Sequence, residues 1–435
     1  MLLIYTSNAT SRFRYIAGLM VGDLLGIDFK VTSDPAVFRR HEGPGLAYSD
    51  EEFTGVPRIL PAGLLTECTI RVQGVAATRF DGVPVIFQAN TPGSALPFDP
   101  FAAGFYMVTR YEEYLPFTKD KYGRFPATES IALQGNFLDL PVVHHWAEMI
   151  GRMLVRVYPD IQRRERKYRY LPTVDVDHAF CYRGRTMKRT LGGAARSLFN
   201  GRIGEVAQRF RVLAGMAGDP FDTFDYIRRV LDPYDLQPLF FILFADYGGD
   251  DNNVRVNSKA FHRLVRSLDH HQGVGVHPSL SSNKHYLKLH AECEGLGRLL
   301  SRQVVISRQH FLKLSVPKTY RALNQLGITA DYSMGYATHA GFRAGIAIPF
   351  PFFDVARDMV TPLVVHPITL MDVTMKDYLR LTCDQSLELT AKFIRTVKSV
   401  NGEFVSLWHN ESLAPAGRWL GWRRVFEEMV KMAST

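Results

Sequence analysis

The chain has 435 residues and a net charge of +9, with 46% hydrophobic and 22% charged residues. This balance is ordinary for a globular protein and excludes collagen, coiled coil or disorder as the main architecture. No stretch approaches about 18 uninterrupted apolar residues, which excludes a spanning helix, and the length predicts two or three domains.

The opening MLLIYTSNATSRFRY is briefly apolar, with no preceding basic region and no cleavage site. It reads as a first strand, not a signal peptide. Four scattered cysteines (Cys68, Cys181, Cys293, Cys383) include no Cys-x-x-Cys pair, which argues for a reducing cytoplasm and against a four-cysteine zinc site. FDGVPVIFQ (80–88) has Asp81-Gly82 as its turn and predicts a hairpin. FYMVTRYEEYL (105–115) and PVVHHWAEMIGRMLVRVY (141–158) predict helices.

The pattern breaks at YPDIQRRERKY (158–168), so a mixed α/β domain is expected over 1–165 and a second domain over 166–435. Between residues 151 and 211 stand 15 Lys and Arg against 5 Asp and Glu. Such a cluster suits a phosphorylated substrate, an anionic membrane surface or nucleic acid, though a solvated basic face at a domain junction is the plainer reading. No nucleic-acid motif accompanies it, and none is expected as a partner.

Beyond the boundary, short runs apolar on both faces recur: YLPTV (170–174), PLFFILF (238–244), GVGV (273–276), VVIS (304–307), ITA (328–330), IAIPF (346–350), PLVV (362–365) and EFVSLW (403–408). Such runs suit parallel strands covered on both sides. Helical patterns over 222–232, 257–271, 284–303, 316–326 and 376–400 lie between several of them. Seven or eight strands alternating with helices predict a β/α barrel, complete or incomplete.

Active sites of such barrels form at the C-terminal strand ends. Most of these runs are followed by ionisable residues: Asp175, Asp177 and His178; Asp246; His277; Arg308 and His310; Asp331; His366; His409. A ring of carboxylates and imidazoles suits a divalent metal and acid–base work. Within a strand, Asp175 and Asp177 face the same side. Taken singly, an acidic pair is as often a cap or turn, His277 as often a core histidine, and Arg308 as often a structural ion-pair partner. Tyr332 and Tyr336 suit either core or a sugar-stacking surface. His270, His271, His285, His290 and His339 read as surface or helix positions.

In this order the residues resemble carbohydrate esterase family 4, the NodB-like polysaccharide deacetylases, over roughly 168–435. TVDVD (173–177) is similar to the family's first motif, which implies Asp175 as base and Asp177 as metal ligand. His277 matches the first histidine of the second motif. Position 281 is serine where a second histidine is usual, and His310 is the candidate replacement ligand. Arg308, in Arg308-Gln309-His310, and Asp331 resemble the family's base-positioning pair, and Leu407-Trp408-His409 its last motif with His409 as general acid. Tyr332, Tyr336 and Trp408 are the candidates for substrate contact.

DVDH, HPS, RQHFL, GFRAG and WHN, with RYEEYLPF (110–117) before them, resemble a bacterial branch associated with surface-polysaccharide genes. The resemblance implies a divalent ion, zinc first and Co²⁺, Mn²⁺ or Mg²⁺ as alternatives. It also implies deacetylation of an amino sugar or glycan precursor, with peripheral membrane contact as an option. Two other readings stay open: a degenerate barrel that binds glycan or assembles with other enzymes, and a hydrolase of another amide or ester on a nucleotide sugar or lipid-linked intermediate.

Overall fold

The computed structural model describes residues 1–435 apart from 90–91, 246–247, 249–250, 252 and 270–272. Asp246, His270 and His271 therefore lie outside the described residues.

The opening apolar run is β1 (Leu2–Thr6), buried along its whole length. It pairs in parallel with β2 (Phe29–Thr32) and β3 (Gly45–Tyr48), and β3 carries β4 (Arg58–Ile59), in the order β2-β1-β3-β4. Thr10, Asp34 and Asp99 accept from free N–H groups at the starts of the helices Ser11–Ala17, Pro35–Arg39 and Pro100–Val108. β5 (Thr78–Phe80) and β6 (Val83–Val85) form the expected hairpin, and Asp81 and Gly82 both take positive φ, 51° and 75°. The helix expected over 105–115 instead spans Pro100–Val108. Arg110 turns left-handed at φ 54° and drives its side chain into an ion network, and Tyr111–Tyr114 follow as a 3₁₀ turn.

From residue 169 the chain builds a nine-stranded sheet. Its strands are β7 (Arg169–Val176), β8 (Leu239–Ile242), β9 (Val274–Val276), β10 (Ile306–Ser307), β11 (Ala330–Met334), β12 (Phe350–Asp354), β13 (Met359–Pro367), β14 (Leu370–Met371) and β15 (Glu403–His409). The order is β12-β13-β11-β10-β9-β8-β7-β15-β14, parallel except for the antiparallel pair β12–β13. The sheet curls into a distorted half-barrel. Tyr286–Leu300 packs against β9, Cys383–Ser399 against β15, and Trp422–Ser434 against Trp408 of β15, which explains strands apolar on both sides. IAIPF, expected as another parallel barrel strand, leads instead into the antiparallel edge strand β12. Asp331 lies inside β11 and not beyond its end. His366 likewise sits within β13, bonding Glu403 at the first residue of β15, the opposite end from His409.

One apolar cluster runs from Leu2 to Ala433 and joins the two parts of the chain. A buried polar seam crosses the same boundary. Glu113 accepts from Arg343 through Nε (2.9 Å) and Nη2 (2.7 Å), and from Arg110 Nε (2.8 Å). Arg110 also reaches Glu112 and, at 2.9 Å, the Tyr336 hydroxyl. Burial lowers the His144 imidazole to about 3, so it stays neutral and accepts the Ala347 N–H at 3.1 Å.

Candidate metal centre and active site

Strand alternation sets the floor of the site. Thr173, Asp175 and Asp177 follow one another at two-residue spacing along and just beyond β7, on one side of the sheet. Register places Asp175 between His409 of β15 and Phe241 of β8. His277 and Arg308 follow β9 and β10 directly, and His310 opens a short turn after them.

Three potential ligands converge here. One donor atom from each of Asp177, His277 and His310 lies within 4.8 Å of the other two. His277 Nε2 is 3.1 Å from Asp177 Oδ1, and His310 Nε2 is 3.3 Å from Asp177 Oδ2. The tautomer of His277 follows from its neighbour. Its Nδ1 faces the Arg308 carbonyl oxygen at 2.6 Å, which can only accept, so the neutral ring carries its proton on Nδ1 and directs a lone pair from Nε2 at the carboxylate. Asp177 Oδ1 is buried and has no hydrogen-bond donor among the described residues.

In the neutral tautomer a lone pair thus faces a carboxylate oxygen, a repulsion that a proton or a metal ion between the two would relieve. The donor set, one oxygen and two imidazole nitrogens, fits a divalent ion.

The surroundings are arranged to the same end. His310 Nδ1 donates to Asp251 Oδ1 at 2.9 Å, and that oxygen also accepts the Leu280 N–H at 2.9 Å. Burial opposes charge on His310, but the Asp177 and Asp251 carboxylates raise it to about 9, so this pocket favours positive charge. For Asp177 burial likewise acts upward. It is outweighed chiefly by the charge of His310, which holds the carboxyl well below its usual range.

Phe311 and Leu312, directly after His310, both take positive φ (59° and 49°), a strained backbone for bulky residues. Arg124, from the other part of the chain, clamps that turn by donating to the Phe311 carbonyl oxygen at 2.7 Å. Ser281 stands apart from the ligands. Its hydroxyl accepts from Lys288 and lies 3.1 Å from Ser279, which in turn bonds Glu292. Asp251→Asn is expected to weaken zinc binding about 10- to 100-fold by releasing His310, as read by competition with a chelating dye. Unchanged affinity would remove Asp251 from that role.

Two acid–base candidates flank the ligands. Arg308 is fully buried; its Nη1 donates to Asp175 Oδ1 (2.8 Å), Nη2 to Thr173 Oγ1 (2.7 Å) and Nε to the Tyr332 carbonyl (2.9 Å). The guanidinium lies 4.3 Å from the centre of the Phe241 ring. This fixes Asp175 and leaves Oδ2 toward His277 Nε2, 3.7 Å away. On the other side Asp372 grips His409 twice, accepting its backbone N–H and bonding its Nδ1, both at 2.8 Å. Burial alone would lower His409, but Asp372 and then the Asp177 and Asp175 charges raise it well above the ordinary imidazole value. His409 Nε2 reaches to 3.6 Å of Asp177 Oδ2.

The five residues form the floor of a cavity of about 830 Å³, a size suited to a small ligand. Its walls are largely apolar and aromatic, with Phe221, Leu312, Met371, Tyr378 and Trp419. His178 also lines it and bonds Glu411 at 3.1 Å.

Asp331, expected to pair with Arg308, does not bond it. Asp331 is the register partner of Ser307, the residue before Arg308. Neighbouring residues on a strand point to opposite faces, so Asp331 accepts from the Ser307 and Ser333 hydroxyls while Arg308 turns inward.

The three residues expected at substrate do not line the cavity. Tyr332 stacks on His366 with ring centres 4.3 Å apart, and Tyr336 is buried against Arg110 and Arg343. Trp408 points to the face opposite His409, where it packs on Trp422 and Phe426. Asp251, Asp372, Thr173 and Arg124 are site residues that sequence reading did not single out.

Comparisons with known proteins divide along the chain. Residues 2–159 match a family model described as a family of unknown function, DUF7033. No curated protein matches. Among solved structures the chain is similar to a polysaccharide deacetylase candidate from Mycobacterium smegmatis, at 15% identity and TM-score 0.40, covering 62% of this chain and 85% of that one. It is similar to a polysaccharide deacetylase from Bacillus cereus at 12% identity and TM-score 0.29, covering 61% and 86%. A third is a mutant of a CE4-family pseudoenzyme with restored enzymatic activity, at 13% identity and TM-score 0.28, covering 61% and 62%. At these values each is a likeness and no more.

Proposed function

We propose that the chain is a metal-dependent hydrolase that removes an acetyl group from an amino sugar or polysaccharide precursor in surface-glycan biosynthesis. One observation carries the reading. A cavity floor joins a cation-seeking Asp-His-His cluster to a carboxylate fixed by arginine on one side and an imidazole fixed by aspartate on the other. The motif resemblance supplies the acetylated sugar as substrate class.

Asp177, His277 and His310 would hold the ion, with zinc the best match to one oxygen and two nitrogens. When bound, such an ion supplies Lewis acidity toward an acetyl carbonyl and lowers the pKa of water. Asp175, with Oδ1 occupied by Arg308, keeps Oδ2 to accept a proton from the attacking water. Arg308 compensates the buried carboxylate and prevents it from rotating. His409 donates its Nε2 proton to the departing amine nitrogen, which leaves poorly unless protonated. Asp372 fixes the ring and keeps it charged until that transfer. Acetate and the free amine are the products.

The test is acetate release by zinc-loaded protein from acetylated amino sugars offered free, on nucleotide or lipid carriers, and as polymers. Metal-replete protein that releases no acetate from any of them would leave a glycan-binding barrel as the reading.

A further inference from the structure

Between β7 and β8 the chain projects a helical hairpin, Met187–Phe199 and Ile203–Leu213, joined by a three-residue turn. Its amphipathicity is inverted. The first helix buries Thr190, Ala194 and Ser197, and the second buries Arg209 and Val212. Its large apolar side chains face outward instead: Met187 is 75% exposed, Leu198 60%, Phe199 96% and Ile203 67%, with Leu191 and Phe210 beside them. Met187, Leu191 and Leu198 recur at intervals of four and seven, which keeps them on one helical face.

Scattered exposed apolar residues are normal; a stripe of them on a projecting element marks an interaction surface. The occupant is indicated by charge. Residues 187–216 contain six Lys and Arg against one acidic residue, Glu205, and Lys188, Arg196, Arg202 and Arg211 are exposed. A second copy related by twofold symmetry would set these cations against their own counterparts.

We propose that this hairpin is a membrane-docking surface, seating its apolar stripe at the headgroup boundary of an anionic lipid bilayer. Bulky apolar tips flanked by Lys and Arg are the composition that such an interface takes up. Among the described residues no helix is long and apolar enough to cross a membrane, so the chain lies on the surface through this element. The hairpin adjoins the cavity, which Gly204, Glu205 and Gln208 help to line, and exposed Tyr378 stands on another wall. Docking therefore brings the cavity mouth to the lipid headgroups, where a lipid-carried glycan precursor would be presented. That last step alone rests on the proposed function.

The experiment is flotation of the full chain with vesicles of phosphatidylcholine alone or with about one third phosphatidylglycerol, without substrate. Wild type is expected to partition onto the anionic vesicles at least about tenfold more strongly, and to lose this in high salt. Leu198→Ser/Phe199→Ser/Ile203→Ser and Lys188→Glu/Arg196→Glu/Arg202→Glu should each reduce binding about tenfold or more, with near-UV circular dichroism unchanged. Failure of wild type to float with anionic vesicles overturns the proposal whatever the variants do. So does an apolar triple variant that floats like wild type, or a wild-type dimer that this variant dissociates in the absence of vesicle binding. Because no substrate is present, these outcomes are independent of deacetylase activity.

Discussion

Asp175→Asn is expected to lower turnover by about 10²- to 10⁴-fold, the usual contribution of a positioned general base, while the bound metal stays stoichiometric. The substitution is nearly isosteric. The amide oxygen can still accept from Arg308 Nη1, so the contact made at 2.8 Å and the fold are preserved. Its other end then presents an N–H₂ group, which cannot take a proton. Asp177, His277 and His310 remain unaltered, so metal content by elemental analysis should match wild type. Acetate release and metal content together separate the roles. Full turnover with Asn would remove Asp175 as base, and loss of metal along with activity would recast it as a ligand.

Glu113→Ala is expected to cost about 3–5 kcal/mol of stability, because it leaves two buried guanidinium groups without their shared carboxylate. Burial acts to raise the Glu113 pKa, but Arg343 and Arg110 outweigh it and hold the carboxyl ionised below its ordinary range. Arg343 belongs to the half-barrel and Glu113 to the chain before it, so the damage falls on the junction. Chemical denaturation monitored by tryptophan fluorescence would show a lower midpoint, or early loss of one part alone. An unfolding free energy within about 0.5 kcal/mol of wild type, the usual range for neutral surface changes, would mean that the network is dispensable.

How far the site was legible follows from strand geometry. Alternation along TVDVD is enough to place Asp175 and Asp177 on one side, and the apolar runs point to His277, His310 and His409. Asp372 escaped because β14 has only two residues, too short to give an apolar run. Asp251 and Arg124 lie 59 residues from His310 and 187 from Phe311, and act only by folding back on them. Trp408, chosen for its place beside His409, faces away for the same alternating reason that made the Asp pair readable. Asp331 was misplaced because ITA marks the start of β11 and not its end. The hairpin 187–213 went unread as helix because Gly192-Gly193 and the small and basic residues after them break up its few apolar positions.

The half-barrel's edge strand β12 has a further consequence. Its outer backbone is not bare: the Tyr15 hydroxyl donates to the Pro351 carbonyl at 2.8 Å, and just past the strand the Val355 N–H donates to the Tyr114 hydroxyl at 3.2 Å. Arg12 holds Asp358 in the turn that follows, at 3.0 Å. An open sheet with an uncovered edge invites another strand to pair with it. The first part of the chain thus shields an aggregation-prone margin, whatever else it does. A half-barrel produced without it would expose that margin to its own copies.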